Sequence, residues 1–431
     1  MQNECYLLCV TADNHNKYYR MIPSADGSTF TVEYGRVEAT AQTTTYPMSK
    51  WSQKYNEKIR KGYVDRSDLY KTAVKTVASS TKTKDGKTYK MIDDTDVRKL
   101  VDTLLAFADK TVADNYNINV KLVTKAMLVR AEDILDSLTQ ILRTTNDTNF
   151  VSVANTANNL LVSELFTVIP RKMNHVANYI IDTNTLHDSS DFITKLRRII
   201  QRETELLDVL RTKVVQTVQQ DALSADDNLA DKTILEVAGL EISACTAEDI
   251  VRIKKSLGEI SNRFYRAWRV TNLRTQKDFD NFKRKYRGDY KRFPTKLLWH
   301  GSGNQNWWSI LNNGLKIRPN GVVLTGAMFG NGIYFAPKAK KSLGYTSLKG
   351  SYWAHGSSDR AYMALYDVAY GKPFDVDQHN SSFYTYDWDK LQRNCRGAHC
   401  LHAHAGKSLY NDEIIVYKPE QVTVRYLVEL R

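Results

Sequence analysis

The sequence predicts a multidomain α+β protein: a small α/β module, then an all-α helical bundle, then a domain of two packed antiparallel sheets. Three observations lead to this prediction. Short apolar runs alternate with Asn, Asp and Gly turns over residues 5–37. Apolar side chains recur at helical spacing over residues 94–220. Short strands separated by Gly and Asn turns dominate from residue 264 onward, which is typical of packed antiparallel sheets.

Composition places the chain among globular proteins. Its 431 residues are 42% hydrophobic and 25% charged, enough to bury about two or three cores. No apolar run approaches the roughly 18 residues of a membrane span, and the first ten residues lack a basic n-region, so we expect no membrane partner. Five scattered cysteines favour reduced thiols in an intracellular compartment over a disulfide framework.

The net charge of +13 suggests a polyanionic partner, and the charge is concentrated in two blocks. Residues 51–92 hold eleven Lys and Arg against four Asp and Glu, and residues 252–296 hold fifteen against four. Aromatic side chains are interleaved with both blocks, which suits phosphate contact combined with stacking on sugars or bases. The alternative is a solvated basic face.

The first module is predicted to contain three strands, Tyr6 to Val10, Lys17 to Pro23 and Thr29 to Val37, separated by turn residues. A helix from Ser49 to Arg60 is expected to follow and to end at Gly62. The order of Tyr34, Gly35 and Arg36 after these strands is a candidate DNA contact, because a guanidinium suits bidentate phosphate acceptors. An interdomain contact for Arg36, or a plain strand end, is the alternative.

Two polar segments are predicted to be linkers, Val77 to Lys90 and Asp221 to Asp231. Between them, apolar stripes predict helices from Asp94 onward, among them Val153 to Leu165 and Asp191 to about Val215. We interpret these stripes as core, and Pro170 as the stop of the helix that precedes it.

The last domain is predicted to begin with a capped helix from Thr246 to Leu257 and a strand from Phe264 to Leu273. Two motifs follow: the run Leu-Leu-Trp-His-Gly-Ser ending at Ser302, and the run Gly-Asn-Gly-Ile-Tyr-Phe-Ala ending at Ala336. An apolar strand that ends in an imidazole, a glycine and a hydroxyl delivers polar groups to a cleft. Together the two motifs predict a dinucleotide pocket.

These motifs, with Tyr-Asn-Asp-Glu-Ile-Ile-Val-Tyr near the end of the chain, closely resemble the catalytic domain of the DNA-dependent poly(ADP-ribose) polymerases. The resemblance implies that His300, Tyr334 and Glu413 form a triad that holds NAD as co-substrate, with Glu413 assisting the acceptor's attack. Asp412 leaves the register open by one residue, and counting back from Tyr417 favours Glu413.

The resemblance extends over the whole chain. It implies a WGR-like DNA-binding domain over residues 1–90, with Tyr34 where the family usually has Trp. It further implies a helical regulatory, autoinhibitory domain over residues 91–225 and a catalytic ADP-ribosyltransferase domain over residues 235–431. Expected partners are DNA with strand breaks and protein acceptors including the chain itself. The implied location is the nucleus, or nucleoid-associated cytoplasm if the source lacks a nucleus.

The resemblance also assigns roles around NAD. Backbone groups of Gly301 and the Ser342 hydroxyl would bond the nicotinamide carboxamide, between the rings of Tyr345 and Tyr334. His300 would bond the adenine-side ribose, and Lys341 would help seat the acceptor or Glu413. The remaining expected NAD contacts are Ser302, Asn306, Gly332 and Lys316, the last where the family has an arginine.

One further group has metal-ligand residue types: Cys395, His399, Cys400, His402 and His404. No Cys-x-x-Cys pair is present, so we expect no metal and assign the segment to a loop or a substrate contact. Three functions stay open: a DNA-activated polymerase, a mono-ADP-ribosyltransferase, and a catalytically silent DNA-end-binding scaffold. The intact His300, Tyr334 and Glu413 set favours the enzyme.

Overall fold

The computed structural model describes residues 4–37, 39–69, 89–118, 120–223, 231–317 and 328–431. The chain divides into two compact units, one formed by residues 1–86 and 110–222, the other by residues 87–109 and 223–431. Most of the predicted linker from Val77 to Lys90, and residues 224–230 of the second predicted linker, lie outside the described residues. Within the described ranges, no helix combines the length and the apolar composition that crossing a membrane requires.

The first unit opens with an antiparallel sheet of order β4-β3-β2-β1-β5. Its strands are β1 (Cys5–Val10), β2 (Asn16–Pro23), β3 (Thr29–Arg36), β4 (Gln42–Pro47) and β5 (Val64–Asp65). Helix α1 (Trp51–Arg60) covers one face, where its Trp51 packs edge-on against Phe30 with ring centroids 5.0 Å apart. The three strands and the helix predicted from the turn signals are confirmed.

The rest of the first unit is helical. Its helices are the second half of α2 (Thr95–Asn115), α3 (Lys125–Thr144), α4 (Phe150–Asn159) and α5 (Ser189–Leu223). A π-helical stretch, Leu160–Leu165, and a last turn, Phe166–Val168, continue α4 to just before Pro170, as predicted. The apolar stripe of α3 is core, since Ile134, Leu135 and Leu138 are buried.

Sheet and helices of this unit are joined by polar contacts. Arg66, directly after β5, donates to the Ser163 carbonyl at 2.8 Å and to the Thr167 hydroxyl at 2.8 Å. The Asn16 amide donates to the Arg171 carbonyl at 2.8 Å, in a buried position. The N-terminal sheet and the helices over residues 110–222 therefore share one compact body, although the sequence pattern treats them separately.

The second unit contains two sheets, of order β6-β7-β14-β10-β8 and β11-β12-β13-β9. The first five-stranded sheet consists of β6 (Leu240–Ala244), β7 (Phe264–Asn272), β8 (Thr295–Gly301), β10 (Ala361–Ala369) and β14 (Val422–Leu430). The second consists of β9 (Ile333–Phe335), β11 (Pro373–Val376), β12 (Cys400–Ala403) and β13 (Glu413–Val416). All pairings are antiparallel except that of β11 with β12, so the predicted fold is confirmed with one parallel exception.

Helices surround these sheets. They are α6 (Ile234–Ala238), α7 (Ala247–Leu257), α8 (Leu273–Lys285), α9 (Trp307–Asn313), α10 (Ala339–Leu343) and α11 (Trp388–Asn394). The first half of α2 also belongs here, because Val97, Leu100, Val101 and Leu104 pack in the same hydrophobic cluster as Trp268. The apolar stripe of α2 is core, as predicted, but the boundary between the two compact units falls inside this helix rather than before it.

Asp249 ties the start of the second unit together. It forms a capping box with Thr246, and its buried carboxylate accepts hydrogen bonds from Arg269 and from the Tyr426 hydroxyl at 2.7 Å. These hydrogen bonds stabilise the ionised form, so they lower the pKa of the Asp249 carboxyl even though burial opposes them.

We expect Asp249→Asn to destabilise the second unit by about 2 kcal/mol, because the buried Tyr426 hydroxyl and the Arg269 guanidinium both lose a charged acceptor. Arg269 is half-exposed, so solvent screens its share of the loss. A group whose folded pKa is depressed contributes stability above its unfolded value, and this stability disappears as pH falls. The difference in melting temperature between the two proteins should therefore be full at pH 7, begin to shrink below about pH 4, and shrink further as pH falls towards the lowered folded pKa of Asp249. An equal difference in melting temperature at pH 7 and at about pH 2 would contradict this role of the charge.

Candidate active site

Three strands from the two sheets bring the predicted triad together. Strand β8 lies at an edge of the first sheet and β9 at an edge of the second, and Trp299 and Ala336 exchange backbone hydrogen bonds of 3.0 Å across them. On its other side β9 pairs with β13, with Tyr334 opposite Ile415. His300, Tyr334 and Glu413 thus come from adjoining strands, as the motif order predicts.

His300 is held by one ring nitrogen. Its Nδ1 lies 3.0 Å from the Tyr334 carbonyl oxygen, which can only accept, so Nδ1 carries the proton and Nε2 is left as an acceptor. Burial lowers the pKa of the His300 imidazole, and the bond to the Tyr334 carbonyl only partly opposes this. A neutral ring with a fixed acceptor suits a hydroxyl ligand such as a ribose.

Gly301 presents backbone polar groups at the sheet edge. In β8 the backbone of His300 faces β10, where it pairs with Ala364, whereas Trp299 bonds outward to Ala336. Because strand backbone groups alternate, the N–H and C=O of Gly301 point to the same outer edge as those of Trp299. Among the described residues, neither group has a hydrogen-bond partner there. One donor beside one acceptor is the complement of a carboxamide.

Glycine at this position is required by packing. A Cβ on Gly301 would lie 2.0 Å from the backbone oxygen of Ser342, in helix α10. Ser342 is itself buried, so its backbone has little room to move. The structure therefore brings Gly301 and Ser342 together at one wall, and their contacts to NAD stay a prediction.

Two tyrosines line the site. The Tyr334 hydroxyl donates to the Gly330 carbonyl at 2.9 Å and accepts from the Phe329 N–H at 3.0 Å, which fixes its ring. Burial, and then the charge of Glu413, raise the pKa of Tyr345 to about 12. The ring of Tyr345 stacks on Trp353, with centroids 6.2 Å apart and planes inclined by 19°. Trp353 was not predicted, because nothing in its sequence neighbourhood marks it as a site residue.

Glu413 is a buried carboxylate whose two oxygens have different surroundings. Its Oε1 forms an ion pair with Lys341, and Lys341 also donates to the Asn411 carbonyl at 3.3 Å. Its Oε2 is buried and accepts no hydrogen bond from any residue that the structure describes. Burial raises the pKa of the Glu413 carboxyl, although the charge and hydrogen bond of Lys341 act against it. The result is a desolvated negative charge with one oxygen available to a ligand.

The structure also gives the neighbouring carboxylates of Asp412 and Glu413 different partners. Adjacent residues of a strand point to opposite faces, and Glu413 is the first residue of β13. Glu413 meets Lys341, whereas the Asp412 carboxylate meets the ring of His402 at 3.1 Å. The register that favours Glu413 is supported by these contacts.

The other expected NAD contacts are distributed around the same strands. Ser302 follows β8, and its hydroxyl accepts from the Asn306 amide at 3.1 Å. Gly332 precedes β9, and a Cβ there would lie 2.2 Å from an Ile415 methyl carbon. Lys316 is exposed and lies two positions before residues 318–327, which are outside the described residues.

The predicted Cys and His group divides into two parts. His399 accepts from the Lys372 N–H at 3.0 Å, and Cys400 donates to the Tyr370 carbonyl at 3.2 Å. His402 and His404 lie elsewhere, with ring centroids 4.0 Å apart beside Asp375 and Asp412. None of the five cysteines, all of which lie among the described residues, takes part in a disulfide.

The predicted DNA contacts Tyr34, Gly35 and Arg36 end strand β3. Arg36 donates to the carbonyls of Met173 at 2.7 Å, Asn174 at 2.9 Å and Asn14 at 2.9 Å. These contacts join the sheet to the helical part of the same compact unit, where the sequence left open an interdomain contact beside a phosphate contact. A role in DNA binding stays a prediction.

The site lies where two sheets meet and contains a neutral His300, the outward backbone groups of Gly301, and a buried Glu413 beside two tyrosine rings. These features indicate the class of NAD-dependent ADP-ribosyltransferases. Residues 247–431 match the family model described as poly(ADP-ribose) polymerase catalytic domain. This match places a poly(ADP-ribose) polymerase catalytic domain at residues 247–431.

The chain is also similar to known proteins, two of which carry the name poly [ADP-ribose] polymerase. Uncharacterized protein 101L of Invertebrate iridescent virus 6 is 28% identical over 260 residues, which are 60% of this chain and 97% of that protein. Human poly [ADP-ribose] polymerase 2 is 30% identical over 158 residues, 31% of this chain. Rice poly [ADP-ribose] polymerase 2-A is 26% identical over 312 residues, 63% of this chain. The matches span only 26% of the human protein and 42% of the rice protein.

Proposed function

We propose that this chain transfers ADP-ribose from NAD to protein acceptors, including itself, extends the product into chains, and is activated by DNA breaks. The observation that carries the chemistry is the state of Glu413: buried, paired through Oε1 with Lys341, and with Oε2 free among the described residues. NAD, when bound, supplies the reactive bond between nicotinamide and ribose.

The residues fit NAD. The outward N–H and C=O of Gly301 match the carboxamide, and the rings of Tyr334 and Tyr345 suit a flat cationic ring. The acceptor Nε2 of neutral His300 suits a ribose hydroxyl. Each contact uses a group that the fold has already oriented, so little reorganisation accompanies binding.

Glu413 has two tasks in the transfer. Its negative charge stabilises the positive charge that develops on the ribose as the glycosidic bond breaks, and burial strengthens this interaction. Its free oxygen can accept a hydrogen bond, and then a proton, from the attacking hydroxyl of an acceptor. Lys341 holds the carboxylate ionised and oriented while it does so.

The direct test is incubation of the purified chain with labelled NAD, with and without nicked DNA. A ladder of products that requires DNA supports the whole proposal. A single labelled band would indicate mono-ADP-ribosylation, and no incorporation under any condition would leave only the DNA-binding scaffold. Location in the nucleus, and a role in the response to DNA damage, rest on the activation by DNA.

DNA binding is proposed for residues 1–90, where basic and aromatic residues are interleaved. We expect Arg36→Ala to reduce DNA-stimulated activity more than basal activity, because losing three carbonyl contacts loosens the link between sheet and helices in one unit. Rates at increasing nicked-DNA concentration measure this. Lys61→Ala, on the exposed end of α1, is a control for lost charge alone. Equal losses of basal and stimulated rate in Arg36→Ala would show a purely structural role.

Autoinhibition by the helical residues 91–225 is also proposed, from the resemblance. If folded helices restrain the enzyme, loosening them should raise the rate without DNA. Leu138 is fully buried in α3, and Leu138→Ala should destabilise this unit by about 2–5 kcal/mol. We expect its DNA-independent rate to rise, whereas Val129→Ala, exposed on the same helix, should behave as wild type. A folded Leu138→Ala protein that still depends fully on DNA would contradict autoinhibition.

A further inference from the structure

Two imidazoles and a carboxylate meet where β12 ends. His402 lies in β12, and the parallel partner strand β11 places Asp375 in register with it. His404 follows β12 and lies on the same face as His402, two residues along. The Nε2 of His404 is 2.8 Å from Asp375 Oδ1, and the Nδ1 of His402 is 3.7 Å from the same oxygen. Donor atoms of these three residues all lie within 4.8 Å of one another.

A second carboxylate orients one of these rings. Asp412 Oδ2 lies 3.1 Å from the Nε2 of His402, and Asp412 Oδ1 accepts from the Ala405 N–H at 2.8 Å. The carboxylate accepts, so the proton of His402 is on Nε2. Its Nδ1 lies on the Asp375 side and accepts a hydrogen bond from the Tyr370 hydroxyl at 2.9 Å, which an ion bound at Nδ1 would replace. A carboxylate that fixes the tautomer of a ligating histidine is a recurrent feature of metal sites.

We propose that Asp375, His402 and His404 form a site for a divalent transition-metal ion of the zinc type, with Asp412 as the residue that positions His402. Zinc bonds of about 2.0–2.2 Å to N and O donors place tetrahedral ligands about 3.3 Å apart. The distances of 2.8 and 3.7 Å from Asp375 Oδ1 bracket that spacing. Two imidazoles with one carboxylate favour zinc, copper or nickel over magnesium and calcium, which prefer oxygen ligands alone. Three protein ligands leave a position for water.

The site differs from the one that residue types alone suggested. The donor atoms that lie together belong to Asp375, His402 and His404, and Cys395, His399 and Cys400 are not among them. His399 instead accepts a hydrogen bond from the Lys372 N–H, and Cys400 donates one to the Tyr370 carbonyl. The essential carboxylate, Asp375, is far away in sequence and is added by the pairing of β11 with β12. Thiolate ligation is therefore not expected.

The place of the site suggests what the ion does. Asp412 is adjacent to Glu413, but the two side chains face opposite sides of the sheet, so the ion would not touch the reacting atoms. Ala403 pairs with Glu413 across β12 and β13. An ion bound by Asp375 and His402 links β11 to β12, and the contact of His402 with Asp412 extends this link to the residue before β13. The ion would therefore stabilise the pairing of β12 with β13, the strand that carries Glu413.

The test uses the full chain, stripped with a chelator and then titrated with Zn²⁺ against a chromophoric competitor. We expect one ion per chain, and a rise in melting temperature as Zn²⁺ is added, because an ion that binds only the folded state stabilises it. His404 lies on a half-exposed loop end, so His404→Ala should fold and should bind Zn²⁺ at least about tenfold more weakly. Asp412→Asn should weaken binding about 10- to 100-fold.

The control is His187→Ala, which removes an exposed imidazole from the other compact unit and should leave binding unchanged. Co²⁺ should report nitrogen and oxygen ligation without a thiolate charge-transfer band. The proposal is overturned if the wild-type chain takes up no ion, if Zn²⁺ affinity is the same in His404→Ala, or if the Co²⁺ spectrum shows thiolate ligands. None of these measurements depends on transfer activity.

Discussion

Replacing Glu413 by Gln is expected to lower the rate of ADP-ribose chain elongation at least about 10²-fold while leaving the affinity for NAD nearly unchanged. The amide keeps the size of the side chain, so the walls formed by Tyr334 and Tyr345 stay in place. It loses the negative charge that stabilises the developing cation and the oxygen that accepts a proton. Product length on gels and calorimetric NAD binding measure the two effects separately.

The matched control is Glu429→Gln, another buried glutamate of the same unit, which lies in β14 and pairs with Arg431 and Arg360 rather than with Lys341. We expect this variant to retain elongation once its melting temperature shows that it is folded. Products of unchanged length from Glu413→Gln would remove Glu413 from the proposed role. Loss of elongation in Asp412→Asn alone would reassign that role to its neighbour.

Gly301→Ala is expected to abolish measurable NAD binding without unfolding the domain. The added Cβ would lie 2.0 Å from the Ser342 oxygen, so either β8 or α10 must move. Such a shift displaces the outward N–H and C=O of Gly301, and a displacement of about 1 Å in a positioning group can cost about 10²-fold. Calorimetric titration with NAD measures the loss, and a thermal melt checks folding.

Gly303→Ala serves as the comparison, because a Cβ there meets only the flexible side chain of Gln305. We expect it to bind NAD as the wild type does. If Gly301→Ala were folded and bound NAD with unchanged affinity, the backbone edge of β8 would not be the carboxamide site. If both variants lost binding equally, the loss would reflect the loop after β8 and not Gly301.

The local elements were predictable because their signals are short-range. Turn residues and alternating apolar positions mark β1 to β3, and Thr246 with Asp249 marks the start of α7. The triad was predictable for a different reason: His300, Tyr334 and Glu413 each stand in a motif that chemistry constrains. Their contacts in adjoining strands agree with that prediction.

What the sequence by itself determined is therefore the set of local elements and the antiparallel sheets of the last domain, since these depend on neighbours within a few positions. The residues of the NAD site follow from the resemblance of their motifs to a known family, and they stay a prediction. Only the tertiary structure decided which distant groups meet. It gave Arg36 carbonyl partners more than a hundred residues away, placed Val97 and Leu104 in the core of the catalytic unit, and joined Asp375 to His402 and His404. The physical reason is that strand pairing and burial bring together residues that are far apart in the chain. A local sequence pattern therefore does not identify the distant residue that a side chain will contact.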